Sequence, residues 1–324
     1  MALRRPLKAA LATVGALLVG GAGFGALQAA NGGALPTPGL FHTVGNAALY
    51  MDCRGAGSPT IVLEAGATGF AETWSWVQSD LARDHRVCAY DRAGLGRSTG
   101  GSGRFDPIAS VDRLDALLAA AEERPPFLMV GHSLGGALAL MYAARHPDRT
   151  AAVAMVDPPH PDLLGRIPRA AANDYRDFAA KLRLASRLAP LGVMHAVRPF
   201  SGPAATLPPD GRRVAAVLEV SPSHLRRSFD ELSEWPAIQA AFHSALRDNR
   251  RPLLVLSAGE ATAGRSPAFL TAMQGLQREL AAGGRYAVVP NADHYSIILD
   301  RAAAAQVAAD VRALAAGVEA RPPV

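Results

Sequence analysis

The chain has 324 residues, 49% of them hydrophobic and 19% charged, which supports one large core or two small domains and excludes a disordered chain. Its formal charge is +5, but Arg4, Arg5 and Lys8 stand in an acid-free segment over residues 1–38, so the remainder carries only +2. That field is too weak for a nucleic-acid binder, and two cysteines are too few for a disulfide framework or a cysteine-ligated structural zinc.

Behind the basic residues an uncharged stretch runs from Ala9 to Met51, with its apolar heart over Leu11 to Leu27. That length is the lower limit for a helix crossing a bilayer. A positive start followed by an apolar run is also the plan of a secretory signal, although Gln28 interrupts a clean small-residue cleavage site. The expectation is an uncleaved N-terminal membrane anchor or a cleaved signal, with a buried helix as the remaining option. Either of the first two leaves the rest of the chain outside the cytoplasm, membrane-anchored or secreted. Asn31 to Gly39 reads as a linker.

Short β-branched runs then alternate with helical patterns. Ala48–Cys53 and Thr60–Glu64 read as strands around the turn Gly55 to Pro59. Trp74, Val77 and Leu81 recur at helical spacing, and Arg86–Tyr90 is the next strand. Asp106-Pro107 supplies an N-cap and a first-turn proline for a helix burying Ile108, Val111, Leu114 and Leu118. Phe127–Val130 is a wholly apolar strand, followed by a helix from Leu134 to about Arg145 and the strand Ala152–Val156. From Pro158 to Arg251, Arg-rich helical segments are broken by prolines and no buried strand is evident. The alternation resumes with the strand Leu253–Leu256, a helix near Pro267–Ala282, the strand Tyr286–Val289 and a last helix from Arg301. Apolar strands separated by helices predict a mainly parallel sheet covered on both faces.

Gly131-His132-Ser133-Leu134-Gly135-Gly136 lies between the strand Phe127–Val130 and the helix from Leu134. A G-x-S-x-G in that setting is a nucleophile elbow. The turn is so tight that the serine takes a strained backbone, and small flanking residues avoid collision with neighbouring strands. Ser133 then stands at the carboxyl end of the sheet and at the positive end of a helix. His132 is the variable residue of the motif and is expected to point away from the serine.

A serine hydroxyl needs a base. His294, in Val-Val-Pro-Asn-Ala-Asp-His294, follows the last strand, where the chain order serine, acid, histidine places it. His42, His85, His146, His160, His195, His224 and His243 fit no such place. Two acids compete to orient His294: Asp157, ending the strand Ala152–Val156, and Glu260, just beyond the strand Leu253–Leu256. An oxyanion requires backbone donors. The candidates are the N–H of Leu134 and that of Ala67, in the loop Glu64-Ala-Gly66-Ala67-Thr68-Gly69. Asp91-Arg-Ala-Gly94-Leu-Gly96-Arg-Ser98 lacks the spacing of a dinucleotide fingerprint and the lysine of a phosphate loop. It reads as a structural turn. No metal-ligand cluster is evident, and neither metal nor cofactor is expected.

With these residues placed, the chain resembles the α/β-hydrolase fold superfamily over about residues 39–316. The likeness is strongest in Leu63-Glu-Ala-Gly66, in Val87 to Ser98 and in Gly131 to Gly136. It implies an eight-stranded, mostly parallel sheet with its second strand antiparallel, helices on both faces and a helical lid inserted after the sixth strand. The position of Asp157 looks like that of the acid in pancreatic-type lipases. The usual His-Gly before the oxyanion residue is Ala65-Gly66 here. In the family's strand order the second and fourth strands are neighbours, which sets Cys53 beside Cys88, either as a disulfide or as two buried thiols.

The resemblance implies a core over 39–157 and 252–316, a lid over 158–251 and a tail over 317–324, behind the segment 1–38. It implies a serine hydrolase that cleaves a carboxylic ester of an apolar acyl group through an acyl-enzyme. The same residues serve amide, thioester or C–C cleavage, and a non-catalytic binding protein on this scaffold is the rival class. Haloalkane dehalogenases and epoxide hydrolases of this fold use an aspartate nucleophile, which Ser133 opposes.

Overall fold

The computed structural model describes residues 35–197 and 203–319, together with the isolated Gly15 and Gly23. Strands β1 (Leu40–Val44), β2 (Ala47–Arg54), β3 (Thr60–Glu64), β4 (Val87–Tyr90), β5 (Phe127–His132), β6 (Thr150–Val156), β7 (Leu253–Ala258) and β8 (Arg285–Val289) make one eight-stranded sheet. Its order is β1-β2-β4-β3-β5-β6-β7-β8. Strand β2 runs antiparallel to both of its neighbours, and every other pairing is parallel.

The principal helices are α1 (Ser75–Leu81), α2 (Pro107–Ala120), α3 (Leu134–Arg145), α4 (Arg169–Leu188), α5 (Pro209–Leu218), α6 (Pro222–Ser233), α7 (Trp235–Asp248), α8 (Pro267–Leu280) and α9 (Arg301–Glu319). Alternate strand residues point to opposite faces. Ile61, Leu63, Leu128 and Val130 therefore cluster with Trp74, Val77 and Leu81 around α1, and with Val307 and Val311 of α9. Val62, Phe127, Met129 and Val153 cluster on the other face with Leu114 and Leu118 of α2 and Leu138 of α3. Asp106 caps α2 by accepting from the N–H groups of Ile108 and Ala109, while Ile108 itself is only half-buried.

Strand β1 falls where a linker was expected to end. Its side chains are mostly exposed, with Leu40 and Phe41 at 69% and 51%. An edge strand of this kind has no buried face to write a periodic pattern. It is held by the two-residue turn Gly45-Asn46 and by pairing with β2. Strands β2 and β4 place Cys53 directly opposite Cys88, and the two form a disulfide.

Between β6 and β7 the described residues are helical and contain no strand. The membrane expectation is corrected. No helix among the described residues is long and apolar enough to cross a bilayer, so nothing in the described structure supports the anchor or the placement outside the cytoplasm. The apolar run on which that reading rested, Leu11 to Leu27, lies outside the described residues apart from Gly15 and Gly23. A sequence window of minimal length, rich in glycine, was too weak a basis for it.

Candidate active site

Strand β5 runs two residues further than its apolar stretch and delivers the chain to Ser133, which has φ 52° and ψ −125°. That conformation is costly for a side chain bearing a Cβ and persists only where surroundings enforce it. They do so by close approach. A Cβ on Gly131 would lie 2.1 Å from the Gly135 carbonyl oxygen, and one on Gly135 would lie 2.2 Å from that of Glu64. Only glycine fits at either place. Helix α3 starts at Leu134, so its N-terminus faces the serine.

His294 lies in the loop after β8. Asp293 sets that loop by accepting from the N–H groups of Tyr295 and Ser296, at 3.0 and 2.8 Å. The His294 Nδ1 meets Asp157 Oδ2 at 2.6 Å. Asp157 follows β6 with φ 46°, and its N–H donates to the Leu256 carbonyl. Its other oxygen, Oδ1, accepts from the Ala258 N–H at 3.0 Å and from Gln277 Nε2 at 2.9 Å. Burial pushes the carboxyl upward in pKa. The bond to His294, the charge on that ring and the Ala258 and Gln277 donors together hold it below the usual carboxylate range.

Glu260 lines the same cavity but is exposed, while its N–H donates to the Ala292 carbonyl. The ring nitrogen it would need is taken by Asp157. Ala67 and Leu134 both line the cavity beside Ser133.

Four buried side chains have no role in the sequence analysis. Gln277 sits fully buried on α8 between Met273 and Leu280, and a polar residue on an otherwise apolar helix face was the available signal. His132 does not project into solvent. Its Nε2 donates to the His294 carbonyl oxygen at 2.7 Å, and its ring lies 4.7 Å from that of His294. Burial, and then the neighbouring His294 charge, push its pKa down to about 3. His224 of α6 is also buried. Its Nδ1 accepts from the Gly96 N–H and its Nε2 donates to the Thr68 carbonyl, both at 3.1 Å. Arg92 is the fourth. It lies 3% exposed in the turn after β4, paired with Glu64 and Glu231. No local pattern marks the last three, because their partners are far away in the chain.

The cavity has a volume of about 410 Å³ and contains Ser133, Asp157 and His294. Its walls are mainly apolar, among them Leu163, Tyr175, Phe178 and Trp235 from the segment between β6 and β7, with Phe269 and Met273 from α8. Among the described residues, Cys53, Cys88 and Glu123 approach closely enough to hold a metal ion, but both sulfurs belong to the disulfide and offer no thiolate.

A sheet with one antiparallel strand, a strained serine between strand and helix, and a hydrogen-bonded acid and histidine at the same strand ends define an α/β-hydrolase architecture. The chain belongs to the alpha/beta hydrolase fold family, whose sequence model matches residues 59–300. It is similar to the uncharacterized protein YqjL of Bacillus subtilis, 31% identical over 118 residues, covering 36% of this chain and 47% of that one. The match thus spans about half the length of that relative. It is also similar to a Klebsiella pneumoniae protein provisionally named carbamate hydrolase RutD, at 28% over 250 residues, covering 75% of this chain and 90% of the relative. Among solved structures, one from Pseudomonas aeruginosa provisionally described as an epoxide hydrolase superposes with a TM-score of 0.68. It covers 87% of this chain and 96% of its own at 19% identity, a likeness of fold alone.

Proposed function

We propose that this protein is a serine hydrolase acting on carboxylic esters of apolar acids. The observation that carries the reading is the 2.6 Å contact between Asp157 Oδ2 and His294 Nδ1, inside the cavity that also holds the strained Ser133. An ionised Asp157 keeps the Nδ1 proton in place, which leaves the Nε2 lone pair of His294 to act as base. Ser133 Oγ attacks the acyl carbon as its proton passes to His294. The Ala67 and Leu134 N–H groups receive the developing oxyanion. His294 returns the proton to the leaving alcohol, and water, activated by the same histidine, releases the acid from Ser133.

Segment 158–251 acts in this reading as a lid over a core made of 39–157 and 252–316, with residues 317–324 as a tail. Its contribution to the cavity wall supports an apolar acyl group in the substrate. A carbamate substrate is the second reading, favoured by the match to RutD along most of that protein. It needs the same serine chemistry and differs only in what leaves. An epoxide hydrolase of this fold would need a carboxylate at position 133.

The test is intact-mass labelling of the full chain with a fluorophosphonate, alongside Ser133→Ala and His294→Ala. One adduct on the wild type that both substitutions abolish is expected. A folded wild type that takes no label overturns the reading and moves the binding-protein rival ahead.

A further inference from the structure

Helix α6 packs with a polar face inward. His224, Arg227, Ser228 and Glu231 recur at helical spacing and are all buried, Glu231 and Ser228 completely. Burying such a face is costly unless each group is matched, and the main match is Arg92. Its Nε and Nη2 grip the two Glu231 oxygens, each at 2.8 Å. Its Nη1 reaches Glu64 Oε1 at 2.6 Å, and Tyr90 donates to the other Glu64 oxygen.

The guanidinium does more than join two acids. It also donates to the carbonyl oxygens of Ala65 and Gly66, the latter at 2.8 Å. The Gly66 carbonyl and the Ala67 N–H belong to one trans peptide, so they point in opposite directions. Fixing the carbonyl on Arg92 therefore fixes where the Ala67 N–H points. The loop runs against the elbow at this place, since a Cβ on Gly66 would stand 3.2 Å from Ser133 Cβ. A cation on the carbonyl also polarises the same amide and strengthens its N–H as a donor. His224, two turns before Glu231 on the same helix face, holds the next carbonyl but one, that of Thr68, at 3.1 Å.

We propose that Glu231, acting through Arg92, positions the peptide that carries the Ala67 N–H. The helical insertion between β6 and β7 is then part of the oxyanion-stabilising machinery as well as a wall of the cavity. Glu231 and Arg92 are positioning residues, and their role rests on the serine-hydrolase reading given above.

The experiment compares the full-length wild type with Glu231→Gln and Glu231→Asp. Each is treated with an alkyl trifluoromethyl ketone carrying carbon-13 at the carbonyl. Ser133 Oγ adds to that carbon, the carbonyl π pair moves to oxygen and the serine proton passes to His294. The pH titration of the adduct's carbon signal then reads how well the site holds an oxyanion. For Glu231→Gln the adduct's hydroxyl should titrate about one pH unit higher than in the wild type. Its kcat toward an apolar p-nitrophenyl ester should fall on the order of 10- to 100-fold with KM little changed. Glu231→Asp, which keeps the charge, should lie between the two, and it carries the test if the Gln variant does not fold. Folded variants with wild-type titration and kcat overturn this inference and leave the serine nucleophile standing. A wild type that forms no adduct overturns both.

Discussion

The side-chain amide of Gln277 donates to Asp157 Oδ1 at 2.9 Å, while the opposite oxygen of that carboxylate faces His294 at 2.6 Å. Gln277 also donates to the Pro158 carbonyl and accepts from Ser257 Oγ. One buried amide therefore ties α8 to the ends of both β6 and β7, and it fixes the carboxylate plane that the histidine meets. Replacement by Leu leaves Asp157 Oδ1 with a single donor and two further polar groups unmatched. Gln277→Leu should lose about 1–3 kcal/mol of stability, read as a shift in urea midpoint. Its kcat should fall on the order of tenfold, because the acid is less well aimed.

Asp157 and Glu260 make opposite predictions. Asp157→Asn should lower kcat on the order of 10³–10⁴-fold with KM nearly unchanged, because the amide stabilises the wrong tautomer of His294. Glu260→Gln, at the exposed edge of the cavity, should stay within about twofold of the wild type. Steady-state kinetics on one ester decide between them, and a reversed ranking would assign the acid to Glu260.

His224 predicts how stability depends on pH. Its burial lowers the pKa from 6.5 to about 4, so between those values the unfolded chain binds a proton that the folded chain does not. Its contribution is complete above about pH 6.5 and is lost as pH falls toward 4, up to about 3 kcal/mol for this one group. Urea midpoints measured from pH 7 to 4 should fall accordingly. The fall should be shallower in His224→Gln, with a remaining slope from His132, whose pKa is lower still, at about 3. An identical slope in wild type and variant would falsify the assignment.

The Cys53–Cys88 bond closes a loop of 35 residues in sequence, and neither cysteine lines the cavity. Converting both cysteines to serine should cost about 2–4 kcal/mol, chiefly by releasing the unfolded chain. kcat and KM at 25 °C should be unchanged. A changed KM would mean that the β2–β4 pairing transmits to the cavity.

Much of the architecture was legible in the sequence because it is written locally. The strand Thr60–Glu64 and the helix from Leu134 to Arg145 have the expected bounds, since each is an uninterrupted apolar or small-residue run with a clear stop. The tight turn at Ser133 was legible for the same reason: Gly131 and Gly135 are demanded by contacts within a few residues or with one adjoining strand. β1 was not, because an exposed edge strand carries no hydrophobic alternation. Neither was the proper weight of the N-terminal apolar run, since hydropathy over a short window does not measure whether a span is present.

What the sequence determined by itself, then, was the class of fold and the two positions, 133 and 294, where a serine and a histidine meet strand ends. Tertiary structure alone decided which carboxylate faces His294. Asp157 and Glu260 both follow neighbouring strands, and sequence spacing is blind to a difference of a few ångströms in where a side chain points. It also decided that Arg92 and His224 hold the Gly66 and Thr68 carbonyls, that Glu231 holds Arg92, and that Gln277 holds Asp157. Their partners lie up to 156 residues away along the chain, and hydrogen bonds of that kind exist only once the helices have closed over the sheet.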